Sequence, residues 1–169
     1  MSIEVKDKGN REAAEKTIEL IQKFKRHEIT LCVGAEAWWT RQMLAIDPMI
    51  STMGGTTDVL KLYFGFWLGL LPFLHIDREA FLLPYQTADY IQMQYAEIAE
   101  SKSLGEWAWR NFALYVSIFA DKTINACLTH LQDRNIYTAY WVVNDSSELN
   151  HLMRTSTVEG IMTDRIDDL

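Results

Sequence analysis

Apolar residues recur at spacings of three and four from residue 11 to 27. Ala14, Ile18, Ile21 and Phe24 share one stripe, while Glu15, Glu19, Lys23 and Arg26 occupy the other faces, so the segment predicts an amphipathic helix. Residues 28–34 are β-branched and apolar and end on Gly34, which predicts a short strand. Helical composition returns over residues 35–45, with Trp38, Met43 and Leu44 as buried candidates, until Asp47-Pro48 breaks it. Residues 49–53 before Gly54-Gly55 and residues 80–83 closed by Pro84 predict two further strands. A long apolar-rich pattern over residues 107–131, carrying Phe112, Val116, Phe119, Ile124 and Leu128, predicts one helix. Residues 136–144 form the strongest strand pattern of the chain. Asp145, three positions before Glu148, predicts an N-cap opening a helix that turns Leu149, Leu152 and Met153 inward, and residues 160–163 predict the last strand. With Ile3-Glu4-Val5 as the first strand, the order alternates strands and helices, the pattern of an α/β fold with parallel strands and helical crossovers.

Residues 62–76 are the one strongly apolar run, with 15 positions free of Asp, Glu, Lys and Arg. That is short of the roughly 20 residues a membrane-crossing helix needs. Two readings remain open for it: a buried loop-and-helix, or an interfacial segment whose Phe64, Phe66, Trp67 and Phe73 dip into lipid.

Composition narrows the function classes. A chain of 169 residues, 49% hydrophobic, is long enough to bury its own core as a single domain. Sixteen Lys+Arg against 23 Asp+Glu give a formal charge of −7, which argues against nucleic acid as a partner, because phosphate-backbone binding relies on clustered basic residues. The two cysteines, Cys32 and Cys127, form no CxxC or Cys/His cluster, so a reducing, intracellular compartment is expected, cytoplasmic or at a membrane. The first residues are charged from Glu4 onward and carry no apolar signal segment.

No GxGxxG, GxxxxGK or GxSxG motif is present, and the four histidines follow no metal-ligand spacing. Exposed positions at helix ends or on polar faces account for His27, His130 and His151. Glu4 and Lys6 sit two apart on the first strand and so point to one face, with Ile3 and Val5 on the other. On the inside of a barrel such a charged pair is costly unless it has chemistry to perform; at a solvated terminus it is unremarkable.

Tyr140-Trp141-Val142-Val143-Asn144-Asp145, then a helix, then Gly160-Ile161-Met162-Thr163-Asp164, resembles the carboxyl-terminal signature of the glycerophosphodiester phosphodiesterase family. Residues 128–136 are similar to that family's preceding helix, and Ile3-Glu4-Val5-Lys6 resembles its Ile-Glu-x-Lys strand. Gly69-Leu70-Leu71-Pro72-Phe73 through Arg78-Glu79-Ala80-Phe81 resembles the membrane-associated lysophospholipase D branch. The resemblance implies part of a TIM (β/α)8 barrel of the phosphodiesterase type, spanning residues 1–169 as one partial domain. Three earlier family strands, bearing a His-Arg pair, a Glu-x-Asp pair and a His-Asp pair, have no counterpart here. An eight-fold barrel of about 250 residues is likewise longer than this chain of 169.

By that resemblance Glu4 would be a metal ligand, Lys6 a catalytic residue facing the substrate phosphate, and Trp141 a wall against the glycerol or lipid portion, with Asn144 and Thr163 as weaker candidates. The ion would be Mg²⁺ or Ca²⁺, which take oxygen ligands, and the substrate a glycerophosphodiester or lysophospholipid. Trp141 reads equally well as a core tryptophan of a barrel interior. Loss of a proton-transfer group typically costs about 10² to 10⁴ in rate, so without the family's two histidines the chain alone is expected to be inactive. The alternative is a non-catalytic chain that binds a membrane surface or a protein through residues 62–76, and exposed sheet edges lead to an expectation of self-association.

Overall fold

The computed structural model describes residues 1–5, 11–34, 37–141 and 143–165. Six parallel strands run in sequence order: β1 (Ser2–Val5), β2 (Leu31–Gly34), β3 (Ser51–Thr52), β4 (Ala80–Pro84), β5 (Tyr137–Trp141) and β6 (Gly160–Ile161). They form two three-stranded sheets, β1-β2-β3 and β4-β5-β6, joined through a parallel bridge between Met53 and Ala80. Every strand therefore neighbours the next one in the chain, giving an arc of the kind that winds into a barrel. The arc is open, and among the described residues no ladder joins β6 to β1.

All six expected strands are present; β2, β3, β5 and β6 are shorter than their patterns, while β1 and β4 are each one residue longer. Residues 27–29, where the helix pattern gives way to the second strand pattern, form a 3₁₀ turn. Helices α1 (Arg11–Lys23), α2 (Ala37–Ile46) and α7 (Ser146–Thr155) fall where the periodicity put them. The Asp145 side chain accepts the N–H groups of Ser147 and Glu148, as an N-cap should. Phe24 and Met153 lie on the solvent side instead of inward. Helix α1 ends at Lys23 and Lys25 takes up a left-handed conformation (φ 52°), so Phe24 lies just beyond the helix and its ring leaves the stripe.

The remaining helices depart further from the pattern. The expected single helix over 107–131 is two: α5 (Leu104–Asp121), capped by Ser103, and α6 (Ile124–Gln132), separated by Lys122 and Thr123. Thr123 turns its hydroxyl back onto the Ala120 carbonyl and ends the first of them. Helix α4 (Ala88–Ala99), capped by Thr87, has no counterpart in the expected order, because Gln92, Gln94 and Glu97 dilute its apolar positions. The apolar run is split between two fates. Its first half completes α3 (Thr56–Trp67) and buries Leu62, Tyr63 and Gly65, whereas Leu68, Leu70 and Phe73 stay exposed around a 3₁₀ turn at Leu71–Phe73.

Two hydrophobic cores lie between the strands and the helices. The larger packs Phe81, Leu83 and Tyr140 of β4 and β5 against Leu60 and Tyr63 of α3, Val116 of α5 and Leu128 of α6. The smaller packs Cys32 of β2 against Ala14, Ile18, Trp39 and Met43. At the junction Gly54 lies against Phe81, where a Cβ would come within 2.3 Å of the ring, so close passage of the chain from β3 into α3 requires glycine.

Candidate functional site

Alternation along each strand sends one set of side chains to the helices and the other to the inner face of the arc. Ile3 and Cys32 belong to the helix-side core and are register partners, which assigns Glu4 and its partner Val33 to the inner face. Phe81, Leu83 and Tyr140 likewise face the helices, so Leu82, Pro84 and Trp141 face inward. Glu4 and Trp141 are thus on the same face, at or beside the carboxyl ends of β1 and β5, the end where (β/α) barrels carry their chemistry. Strands β1 and β5 are four apart in the arc, about 19 Å measured along a sheet, and strands four apart in an eight-membered ring stand opposite each other.

Trp141 is held on two sides. Its indole N–H donates to the Leu82 carbonyl at 3.2 Å, and Tyr90 of α4 meets the ring edge-to-face at 5.8 Å. Burial, with Glu97 nearby, pushes the Tyr90 phenol up to about 12, so it is a neutral donor at ordinary pH. With its donor used, Trp141 offers an apolar surface rather than a hydrogen bond. Lys6 lies outside the described residues.

Asn144 and Thr163 have a bonding role. The Asn144 carbonyl oxygen accepts the Thr163 hydroxyl at 3.2 Å and the Asp164 N–H at 2.9 Å, and its amide donates to the Asp164 carboxylate at 3.3 Å. The two halves of the Trp-x-x-Asn and Gly-Ile-x-Thr-Asp motif therefore clasp one another and fix the loop after β5 to the chain after β6.

Glu4 is exposed and, among the described residues, is the single acidic residue on the inner face at this end of β1. Among the described residues no group of three or more His, Cys, Asp or Glu side chains is placed to hold a metal ion. One carboxylate is too few for Mg²⁺ or Ca²⁺, which take six or more oxygen ligands, so this donor set does not by itself fit either ion. None of the histidines is on a strand: His27 bonds the Asp47 carboxylate at 2.9 Å, His75 pairs with Asp77 in the exposed loop, and His130 and His151 are on α6 and α7.

Two features were not read from the sequence. Tyr90 supports Trp141 but belongs to the helix that the pattern hid, where the Thr87 cap was the available signal. A groove of about 600 Å³ opens on the helix side, between α3, the 68–78 loop and α5, away from the face that carries Glu4 and Trp141.

Consecutive parallel strands, helices on one face and a tryptophan and a carboxylate on the other define the class: an α/β protein built on parallel sheets. No family model matches the chain. Among curated proteins it is similar to Lysophospholipase D GDPD3 of Mus musculus, with 28% identity over 170 residues. The match covers 97% of this chain and 46% of the mouse protein, so the chain spans about half the length of the relative. The glycerophosphodiester phosphodiesterase resemblance seen in the terminal motifs thus extends, distantly, along nearly the whole chain.

Proposed function

We propose that these six strands are one arc of a (β/α)8 barrel of the glycerophosphodiester phosphodiesterase type, and that the complete barrel hydrolyses a glycerophosphodiester or a lysophospholipid. The observation that carries this reading is the pairing of whole-chain similarity to a lysophospholipase D with an arc that puts Glu4 and Trp141 on one inner face. In an eight-stranded ring six strands leave two to be supplied, one fewer than the three strand motifs expected upstream. Those two would bring the proton-transfer groups that this arc lacks.

In this reading Trp141, steadied by Leu82 and Tyr90, shields the glycerol or acyl-glycerol part of the substrate from water. Glu4 faces it across the ring as one oxygen ligand of the Mg²⁺ or Ca²⁺ site that the resemblance implies, and Lys6, by the same resemblance, neutralises the phosphate. A single carboxylate does not complete an ion site, so no step is derived through the ion. With no histidine on the inner face, the chain by itself binds phosphate weakly and turns over at the blank rate, in line with the about 10² to 10⁴ lost with a proton-transfer group.

Two readouts on the folded 169-residue chain test this. Glycerol 3-phosphate should perturb the indole N–H resonance of Trp141, identified by its absence in Trp141→Phe, and the perturbation should weaken in Glu4→Ala and Lys6→Ala. Release of choline from glycerophosphocholine or lysophosphatidylcholine should stay at background with either ion. An unperturbed indole would remove the substrate role of this face, and turnover abolished by Glu4→Ala would overturn the dependence on further strands.

A further inference from the structure

We infer that Asp121, Glu148, Gln86, Tyr85 and Tyr140 form a binding site for a small primary amine, held as its ammonium ion. The proposal is independent of the phosphodiesterase reading, because this cluster lies on the helix side of β4 and β5, across the sheet from Trp141. Tyr140 on β5 and Tyr85, just after β4, set their rings 5.5 Å apart at 59°. Asp121 is the last residue of α5, and Glu148 is in the first turn of α7. Both carboxylates are within electrostatic reach of Tyr85, and Asp121 is within reach of Tyr140 as well; burial first and these acids second raise the two phenols.

The polar atoms of this cluster are unmet. Among the described residues neither the Asp121 nor the Glu148 carboxylate has an ion pair or a hydrogen bond, although both are partly buried. Burial raises both above their ordinary values, in Glu148 with help from Asp145 and Asp89. Lys122 follows Asp121 directly, yet it is exposed and forms no ion pair with it, since consecutive residues at a helix end do not face each other. The Gln86 amide nitrogen donates to the Ser117 hydroxyl at 2.8 Å and to the Pro84 carbonyl at 3.4 Å, which leaves the Gln86 side-chain oxygen buried without a donor. Ser117 is one turn before Asp121 on the same face of α5, so Gln86 is brought beside the carboxylate. Tyr140 is 3% exposed, and its hydroxyl too has no partner among the described residues.

Buried polar groups left in this way cost stability and point to something that meets them. Two carboxylates and an amide oxygen only accept, so their complement is a donor that carries positive charge, and the faces of two phenol rings attract the same charge. A primary ammonium has N–H donors and no acceptor. A divalent ion asks for a larger oxygen shell, and among the described residues no three His, Cys, Asp or Glu side chains are grouped to hold a metal. Water would satisfy the hydrogen bonds and leave the charge uncompensated. Asp89 and Asp145, both felt by Glu148, extend the negative field around the cluster, which concentrates cations there.

Ethylammonium chloride, titrated into the 169-residue chain at neutral pH, is the probe. The ring resonances of Tyr85 and Tyr140, assigned from Tyr85→Phe and Tyr140→Phe, should shift saturably, and the urea midpoint should rise with amine concentration. Sodium chloride and tetramethylammonium chloride at equal ionic strength bring charge without N–H donors and should do neither. Asp121→Asn keeps the shape and removes the charge. It should weaken the amine response by about tenfold or more, the loss of one charged hydrogen bond, while raising the urea midpoint of the amine-free chain, because an uncompensated charge is gone. Asp133→Asn, at the exposed end of α6, should change neither property. The response should also weaken as pH is lowered and the two carboxyls take up protons. Equal shifts with sodium or tetramethylammonium, or a response undiminished by Asp121→Asn, would overturn the proposal. So would a folded chain with no amine response, since water or a proton would then meet the carboxylates.

Discussion

The Glu79 carboxylate accepts the amide N–H of Thr52 at 2.7 Å, while the Thr52 carbonyl takes the N–H of Glu79 at 3.1 Å. This reciprocal pair stands where the two three-stranded sheets meet, and beyond it the junction has the Met53–Ala80 bridge and the Gly54 N–H donating to Ala80. Glu159 repeats the arrangement two strand positions further on, between β5 and β6, accepting the Thr138 N–H at 2.8 Å and donating its own to the Thr138 carbonyl at 2.9 Å. Both glutamates directly precede a strand, and Thr52 and Thr138 are fully buried, so each side chain supplies a partner to a strand amide that water cannot reach.

Glu79→Ala should therefore destabilise the chain by about 1 to 2 kcal/mol, the range for losing a charged acceptor to a buried amide. Glu79→Gln, which retains an acceptor, should cost less. Glu159→Ala should show a similar loss, and the double variant should be close to the sum, since the two glutamates share no partner. Urea midpoints at neutral pH measure all four, and a midpoint unmoved by Glu79→Ala would mean that the carboxylate does not hold the sheets together.

Gly54→Ala would drive a methyl into the Phe81 ring, which is 1% exposed and has no room to retreat. Overpacking of this kind typically costs about 1 to 3 kcal/mol. Phe81→Leu alone should also destabilise, but in the Gly54→Ala background it should recover part of the loss. A thermal melt of the two single variants and the double shows whether the costs are sub-additive, as a shared clash requires.

The strand order was legible because β-branched and aromatic runs such as residues 136–144 stand out from helical periodicity, and alternation then implied parallel pairing. The alternation that sets Glu4 opposite Ile3 was legible for the same reason, but whether Glu4 faced a barrel interior or a solvated terminus was not. Three things were hidden. Helix α4 carries a weak apolar stripe, and its place in the fold depends on Thr87 as a cap and on α5 as a neighbour. The break between α5 and α6 rests on a side-chain bond, Thr123 to Ala120, that no periodicity reports. The apolar residues Phe112 and Phe119 fit an inward pattern, yet lie outside because α3 presents Phe64 and Trp67 to them at the surface. Pairings between distant segments, including Glu79 with Thr52, are decided by the tertiary fold and leave no local trace.

Asp47 supplies a pH dependence. Its carboxylate accepts from the Gln22 amide at 2.6 Å, from His27 at 2.9 Å and from the Met49 N–H at 2.9 Å, and these bonds, Gln22 foremost, lower it to about 2. A depressed folded value means that the stabilisation is complete above the ordinary carboxylate range near pH 4 and is lost as pH falls through about 2. On the order of 2 kcal/mol is at stake. Asp47→Asn should lower the urea midpoint at pH 7 and flatten its decline between pH 4 and pH 2 relative to the parent. Identical acid limbs in the two proteins would show that this cluster does not link α1 to α2 in solution.

Cys32 and Cys127 report on the two cores separately, because the first belongs to the β1–β3 half and the second to the β4–β6 half. Both thiols are free and fully buried, and burial pushes Cys32 up to about 11 and Cys127 up to about 12. At pH 8 less than about one thiol in a thousand is then thiolate, and that one has no access to reagent. An aromatic disulfide reagent should leave the native chain unlabelled and label both cysteines in urea. In the single-thiol variants Cys32→Ala and Cys127→Ala, the remaining thiol should appear at nearly the same urea concentration once the midpoint shift of each alanine variant is allowed for, because the Glu79–Thr52 pair couples the halves. Adding Glu79→Ala should separate the two transitions, with Cys32 exposed first, since its core is the smaller. Transitions already separate in the parent chain would mean that the halves unfold independently and that the junction contributes register without cooperativity.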